Sequence, residues 1–255
     1  MAEAGTVPDL TQDAFLGGRV ILRQPRHGYR AGVDPVLLAA SVPAAPGQSV
    51  LDLGCGAGAA ALCLAARVPG LVLAGLERHP LYADLARQNG ALNGAGFEVV
   101  TGDLTSRPPE LRDRAFDHVI ANPPYFDRRA GSAAPRPERE AAMGEDTPLA
   151  DWMTYAARRC ATGGFVSVVH RAERLPDLLA AASPHLGSIE VLPLIPRLGR
   201  AARLVILRGR KGGRAPFRLH QGWVLHAGPV HSGDREDYTP ETAQVLRQGG
   251  ALRFG

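Results

Sequence analysis

Short runs of apolar residues alternate with longer amphipathic segments along most of the chain. Seven such runs predict strands buried on both faces, at 49–54, 71–76, 97–102, 116–121, 164–169, 189–195 and 203–209. Apolar residues at helical spacing predict helices over 80–93, 148–160 and 174–183. This order predicts an α/β fold with a seven-stranded, mostly parallel sheet covered on both faces. In such a fold, ligands bind at the carboxyl ends of the strands.

The two ends of the chain depart from the alternating pattern. No helical segment separates the last two runs, so we expect these strands to form an antiparallel hairpin at one edge of the sheet. Residues 1–12 lack any periodicity and are expected to be flexible. Because the sequence contains neither an internal repeat nor a long linker, residues 13–255 are expected to form one domain.

Composition narrows the class of protein. The 255 residues are 45% hydrophobic and 21% charged, enough to bury a sizeable core. No uncharged apolar run approaches the roughly 18 residues of a membrane span, and the chain does not begin like a secretory signal, so a cytoplasmic protein is expected. The three cysteines form no C-x-x-C pair and the eight histidines are scattered, which predicts neither a disulfide framework nor a metal site.

Positive charge is carried almost entirely by arginine. The net charge is +4, and Lys211 is the single lysine. Arginines cluster at 19–30 and again at 128–139. A guanidinium suits phosphate binding and base stacking, which indicates a nucleic acid partner. Solvated loops in an arginine-rich chain explain the same clusters, so both interpretations stay open.

A glycine-rich turn follows the first buried strand. The stretch LDLGCGAGAAALCLAA at 51–66 runs from a strand through Asp52, Gly54, Gly56 and Gly58 into an Ala-rich segment. Glycine allows a tight turn and the close approach of a ligand to the backbone. The D-x-G-x-G-x-G spacing resembles motif I of S-adenosylmethionine-dependent methyltransferases and not the G-x-G-x-x-G fingerprint of dinucleotide-binding proteins. A methyl donor is therefore favoured over NAD.

Acidic residues follow the next two strands. Glu77 lies about 20 residues beyond the glycines, where a carboxylate can accept hydrogen bonds from both ribose hydroxyls of a nucleoside. Asp103 ends the third strand, and in the superfamily that motif I resembles an acid at this point contacts the adenine amino group of the donor. An ordinary helix cap or turn is the alternative role for either carboxylate, and the binding role is favoured.

The fourth strand ends in Asn122, Pro123, Pro124 and Tyr125, which match motif IV of amino-methyltransferases. An exocyclic amine or an amide is a poor nucleophile because its lone pair is delocalised. The Asn122 side-chain oxygen and the Pro123 carbonyl can each accept one N–H and so aim the lone pair at a methyl group, a catalysis by positioning that requires no general base. Tyr125 offers a face on which a planar group stacks. Alone, N-P-P-Y is also compatible with a strand-ending turn, an interpretation that motif I and the two acids disfavour.

A longer resemblance points to one family. The region RQPRHGYRAGVDPVLLAA at 23–40, the N-P-P-Y motif and the DYTPE segment at 237–241 resemble the bacterial methyltransferases that modify the N6 amine of the adenine beside the anticodon of valine tRNA. The similarity extends from about Phe15 through 203–209. It implies a Rossmann-like class I methyltransferase fold. Asp34, directly before Pro35, could instead simply cap a helix.

The resemblance also implies the roles of individual residues. It implies S-adenosylmethionine as the methyl donor, bound by Asp52, Gly54, Gly56, Gly58, Glu77, Asp103 and Asn122. It implies an amine site formed by Asn122, Pro123, Pro124 and Tyr125. Substrate contacts are expected from Gly32, Asp34, Tyr125, Arg128 and Arg129. The segment 127–148, where substrate is usually chosen, is longer and richer in Pro and Arg than in better-known members, so it is the expected substrate loop.

Three functions remain open on the sequence alone. The first is an RNA adenine-N6 methyltransferase acting on tRNA, in which arginines hold phosphates and Tyr125 stacks on the target base. The second is a protein glutamine-amide methyltransferase of the release-factor type, which uses the same N-P-P-Y residues. Such enzymes carry an N-terminal helical domain, and the residues before motif I are too few for one. The third is a non-catalytic donor- or RNA-binding module, for which an intact amine site has no use.

Overall fold

All seven predicted strands are present in the computed structural model, which describes residues 9–127, 144–145, 147–230 and 236–254. The strands are β1 (Leu10–Phe15), β2 (Val20–Pro25), β3 (Ser49–Leu53), β4 (Val72–Glu77), β5 (Phe97–Thr101), β6 (Phe116–Ala121), β7 (Phe126–Asp127), β8 (Gly144–Glu145), β9 (Cys160–Arg171), β10 (Gly187–Arg197), β11 (Leu204–Arg210), β12 (Arg218–Leu219) and β13 (Trp223–His226). The helices are α1 (Asp34–Ser41), α2 (Ala59–Arg67), α3 (Pro80–Leu92), α4 (Pro109–Arg112), α5 (Leu149–Arg159), α6 (Leu175–Ala182) and α7 (Pro240–Gln248).

The large sheet has the predicted α/β topology. Its strand order is β12-β10-β11-β9-β6-β3-β4-β5, with β13 pairing beside β10. Strands β9, β6, β3, β4 and β5 are mutually parallel. Their carboxyl ends therefore meet at one edge of the sheet, which is where a ligand site is expected.

The sheet is wider than predicted. Within the described part of the chain it has nine strands and not seven, because β12 and β13 both pair in parallel with β10. The predicted antiparallel hairpin of β10 and β11 is present. It is not the outermost element, since the two additional strands cover its outer side. These strands are two and four residues long, too short for apolar periodicity to reveal them.

Hydrophobic side chains form one core on each face of the sheet. One core joins α1, α2 and α3 to the sheet and includes Leu37, Leu38, Leu62 and Leu64. The other joins α4, α5 and α6 to the opposite face and includes Met153. The sheet strands read as continuous apolar runs because both of their faces are covered.

The N-terminal segment is ordered earlier than predicted. Strand β1 begins at Leu10 and pairs antiparallel with β2, so the expectation of a flexible chain through residue 12 is wrong for residues 10 to 12. Asn89 and Asn93 of α3 bind the backbone of β2, as Arg23 N donates to Asn89 Oδ1 (2.8 Å) and Ile21 N to Asn93 Oδ1 (2.9 Å). Asn89 Nδ2 also donates to Ala57 O in the glycine-rich turn (2.9 Å), which ties the hairpin to that turn.

The predicted substrate loop at 127–148 lies largely outside the described residues. Among the helices that the structure describes, none has the length and apolar character needed to cross a bilayer.

Candidate active site

A cavity of about 340 Å³ opens at the carboxyl edge of the sheet. Its lining joins residues that follow four different strands with residues that precede motif I. Most of the site residues proposed from the sequence contribute to it: Gly32, Asp34, Gly54, Gly56, Glu77, Asp103, Asn122, Pro123, Pro124 and Tyr125. The strand order explains this convergence, because β3, β4, β5 and β6 are neighbours and end side by side.

The glycine-rich turn is held by the carboxylate of Glu77. Gly56 N donates to Glu77 Oε2 and His79 N to Glu77 Oε1, each at 2.9 Å. Gly54 has a φ of +64°, and a Cβ at this position would lie 2.7 Å from Cη2 of Trp152. A side chain at position 54 therefore meets both backbone strain and a clash, which explains why glycine is needed here.

Asp52 and Gly58 lie behind the turn, and neither is among the residues that line the cavity. Asp52 is 3% exposed and accepts a hydrogen bond from Ala61 N at 3.2 Å. Burial, with a smaller contribution from the charge of Glu77, raises the pKa of Asp52 to about 7. Gly58 has a φ of +93° at the start of α2. Both residues shape the turn, so the cavity assigns neither of them a direct contact with a donor.

Asp103 combines the two roles considered from the sequence. Its Oδ1 accepts hydrogen bonds from Thr105 N (2.7 Å) and Thr105 Oγ1 (2.6 Å), so that it caps a short 3₁₀ helix over Leu104–Ser106. Asp103 also lines the cavity. The cap fixes the carboxylate at the carboxyl end of β5.

Asn122 has a buried acceptor atom. Its Oδ1 meets no hydrogen-bond partner among the residues that the structure describes. Its Nδ2 is oriented by a long contact of 3.5 Å with the hydroxyl of Tyr29. A buried polar atom without a partner is costly in a folded protein, and at a cavity wall it indicates that a ligand group supplies the missing hydrogen bond.

Tyr125 is fixed on two sides. Its hydroxyl donates a 2.6 Å hydrogen bond to Asp34 Oδ2, and its ring contacts the buried ring of His170 edge-on at a centroid distance of 5.4 Å. Asp34 is the first residue of α1, and the hydrogen bond that its side chain accepts from a described residue comes from Tyr125 and not from the helix backbone, so the capping interpretation is wrong. Burial raises the pKa of Asp34, with the Tyr125 hydrogen bond opposing the rise, and burial lowers the pKa of His170 to about 4.

Two aromatic residues of the site were not predicted from the sequence. Tyr29 lies beside the glycine-rich turn, because a Cβ at Gly56 would be 3.5 Å from its ring. Trp152 of α5 forms another part of the wall, and its buried Nε1 has no partner within the described ranges. Tyr29 belongs to the G-Y-R-A-G-V-D stretch, whose family resemblance already indicated that this part of the chain is functional. Trp152 resembles any core aromatic on an amphipathic helix.

The surroundings of Gly32 and the partners of the N-terminal arginines differ from those expected. A Cβ at Gly32 would meet no atom within 4 Å, so no steric demand explains glycine there. In the cluster at 19–30, Arg26 pairs with Asp9 and Arg30 with Asp13, while Arg19 donates to the carbonyls of Gln248 and Ala66. These three arginines hold the N-terminal segment in place. Arg128 and Arg129 lie outside the described residues.

Comparison with family models and solved structures agrees with the fold. Residues 31–135 match the Methyltransferase small domain. A predicted O-methyltransferase from Agrobacterium tumefaciens has a similar structure, with a TM-score of 0.70 and 27% identity, over 86% of this chain and 98% of that one. TrmN from Thermus thermophilus superposes with a TM-score of 0.50 and 20% identity, over 69% of this chain and 48% of that one. The fold is thus that of the class I methyltransferases, as the sequence predicted.

Similarity to curated relatives identifies the family more specifically than the fold does. A tRNA1(Val) (adenine(37)-N6)-methyltransferase from Porphyromonas gingivalis is 31% identical over 182 residues, which cover 68% of this chain and 71% of the relative. The Haemophilus influenzae protein of the same name is 28% identical over 190 residues, or 73% of this chain and 79% of the relative. This similarity extends well beyond the glycine-rich turn and the N-P-P-Y motif. The chain belongs to the family of tRNA1(Val) (adenine(37)-N6)-methyltransferases.

Proposed function

We propose that this protein transfers a methyl group from S-adenosylmethionine to the N6 amine of an adenine in RNA, in a tRNA near the anticodon. Family membership and the class I methyltransferase fold support this reaction. The observation that carries it is the buried Oδ1 of Asn122 at the wall of the cavity, which has no hydrogen-bond partner among the described residues. A tRNA substrate also agrees with the expected cytoplasmic location.

The residues around the glycine-rich turn fit the donor. Gly54 and Gly56 of the turn line the cavity, and Glu77 and Asp103 present carboxylates to the same cavity. Glu77 is the proposed acceptor for ribose hydroxyls and Asp103 for the adenine amino group of the donor. Asp52 and Gly58 support this site by holding the turn and the start of α2. When bound, S-adenosylmethionine supplies an electrophilic methyl group on a sulfonium centre.

Asn122 and Pro123 provide the amine site. An NH₂ group brings two hydrogens, and the Asn122 Oδ1 and the Pro123 carbonyl are two acceptors on neighbouring residues at the carboxyl end of β6. Accepting both hydrogens fixes the direction of the nitrogen lone pair and stabilises the positive charge that develops on the nitrogen. The proton that is finally lost can leave to water, so this arrangement requires no general base.

Tyr125 gives the site its preference for a planar acceptor. Its ring is held between the Asp34 hydrogen bond and the edge of His170, which leaves a rigid face for stacking of an unpaired base. The similar Agrobacterium protein is a predicted O-methyltransferase. A hydroxyl has a single hydrogen and uses one acceptor, whereas the paired acceptors of Asn122 and Pro123 match an amine.

Methyl transfer to RNA tests the proposal directly. Total tRNA and, separately, total protein from cells that lack this enzyme are incubated with labelled S-adenosylmethionine. The tRNA is then digested for nucleoside mass spectrometry. We expect N6-methyladenosine. Ribose-methylated nucleosides, or label in total protein alone, would refute it.

A pair of Asn122 variants tests the role of the unpaired oxygen. Asn122→Ala should lower kcat by about 10²- to 10³-fold, with a much smaller effect on donor affinity, since it removes one acceptor of the reacting amine. Asn122→Asp keeps oxygen acceptors at this position and should retain more activity than Asn122→Ala. Equal activity of Asn122→Ala and the wild type would contradict the mechanism.

A further inference from the structure

A second groove opens at the same sheet edge as the candidate active site. It has a volume of about 690 Å³, and its lining includes Pro196, Arg197, Arg200, Arg203, His226 and Val230. Strand β10 runs in the same direction as β9 and β6, because β11 is antiparallel to both of its neighbours, β9 and β10. The turn between β10 and β11 therefore lies on the carboxyl edge, where the amine site also lies.

The charges around this groove are not balanced. Arg197 and His226 both contact the carboxylate of Asp237, which offsets the positive charge of Arg197. Arg200 and Arg203 are both exposed, and neither forms an ion pair or a side-chain hydrogen bond with any described residue. No carboxylate of the described residues therefore pairs with these two guanidinium groups of the groove. In the N-terminal cluster, by contrast, Arg26 and Arg30 are already paired with carboxylates.

The groove lies close to the amine site across the sheet. Leu204, the residue after Arg203, pairs with Arg171 of β9. Arg171 follows His170, whose ring contacts Tyr125. The β10–β11 turn that carries Arg200 and Arg203 is two to three strand spacings from β6, or about 10 to 15 Å. This separation corresponds to about three to four nucleotides along a stacked strand.

We propose that the groove at the β10–β11 turn binds the phosphates of the RNA strand that flanks the target adenine, through Arg200 and Arg203. The inference rests on the proposed function, because it takes the substrate in the amine site to be a nucleotide of a longer RNA. A guanidinium donates a planar pair of N–H groups that suits a phosphate, and within the described part of the chain neither of these two guanidinium groups is paired with a carboxylate. These contacts position the strand and do not read its bases.

The test compares charge removal at two places on the surface. The double variant Arg200→Gln/Arg203→Gln removes both guanidinium groups of the groove. Arg214→Gln is the matched control, because Arg214 is an exposed arginine without a side-chain partner in the described chain and lies after the carboxyl end of β11, at the opposite sheet edge. Binding of tRNA that lacks the modification is measured by fluorescence anisotropy between about 50 and 200 mM salt. Methylation and donor affinity are measured on the same preparations.

We expect the double variant to bind tRNA roughly 10-fold more weakly and to reduce the slope of log affinity against log salt by about 2, one for each lost phosphate contact. Donor affinity should not change, and Arg214→Gln should match the wild type. If the double variant equals Arg214→Gln in affinity and slope while the wild type methylates RNA, the groove does not bind RNA phosphates. The proposed function is then unaffected. If the wild type binds RNA through these arginines but methylates none, RNA binding by the groove is supported and the proposed function is refuted. A wild type that neither binds nor methylates RNA overturns both.

Discussion

The hydrogen bond between Tyr125 and Asp34 is expected to control the rate of methyl transfer. Tyr125→Phe removes only the hydroxyl, and the ring keeps its contact with His170. Asp34→Asn keeps the shape of the side chain and removes its charge. The bond is 2.6 Å long and joins a phenol to a largely buried carboxylate, whose pKa is raised by that burial. A hydrogen bond to a charged group contributes about 1.5 to 3 kcal/mol, roughly a 10- to 150-fold effect.

This energy should appear in turnover and not in donor binding. Either substitution frees the Tyr125 ring to tilt, so that a stacked acceptor is no longer held in line and kcat falls by about 10-fold or more. Within the described chain, neither Asp34 nor Tyr125 forms a side-chain hydrogen bond with the glycine-rich turn, so the affinity for S-adenosylmethionine should stay within about twofold. Tyr155→Phe is the control, because it removes a hydroxyl from a buried tyrosine of the α5 core, away from the cavity.

A double-mutant cycle decides whether the two side chains act as one unit. We expect Asp34→Asn/Tyr125→Phe to be little slower than either single variant, with a coupling energy of about 1 to 2 kcal/mol in kcat. Urea unfolding of the four proteins separates a loss of stability from a loss of positioning. Effects that add within about 0.5 kcal/mol would refute the role of Asp34 as a positioning residue.

Two further predictions concern carboxylates near the glycine-rich turn. Asp52 has a pKa of about 7 in the folded chain, against an ordinary value of 3.8. As the pH rises, the unfolded chain therefore loses this proton before the folded chain does. The free energy of unfolding is expected to fall between about pH 4 and 7, by at most about 4 kcal/mol. Urea unfolding across this pH range should show a shallower fall for Asp52→Asn, and parallel curves would contradict the assignment. Glu77→Ala removes the acceptor of Gly56 N and should weaken S-adenosylmethionine binding by about 10-fold or more in calorimetry, whereas Glu98→Ala, at an exposed acid, should not.

The order of the main strands could be predicted because it depends on local signals. Strands buried on both faces need continuous apolar runs, and the seven runs of this chain are separated by glycines, prolines and helical segments. The two strands that were missed, β12 and β13, are stabilised by pairing with β10 and have little apolar pattern of their own. The strand at Leu10–Phe15 was misjudged for a similar reason, since it is held by β2 and not by its own periodicity.

The candidate site divides in the same way between what local sequence encodes and what the fold decides. Sequence alone determined the glycine-rich turn, the acids after β4 and β5 and the N-P-P-Y motif, because each is a short stretch whose chemistry follows from its residue types and spacing. Only the tertiary structure revealed the hydrogen bond between Asp34 and Tyr125, which are 91 residues apart, and the position of Asp52 behind the turn. The tertiary structure also decided which arginines are paired with carboxylates and which could bind a phosphate, because ion pairing depends on distance in space and not on clustering along the chain.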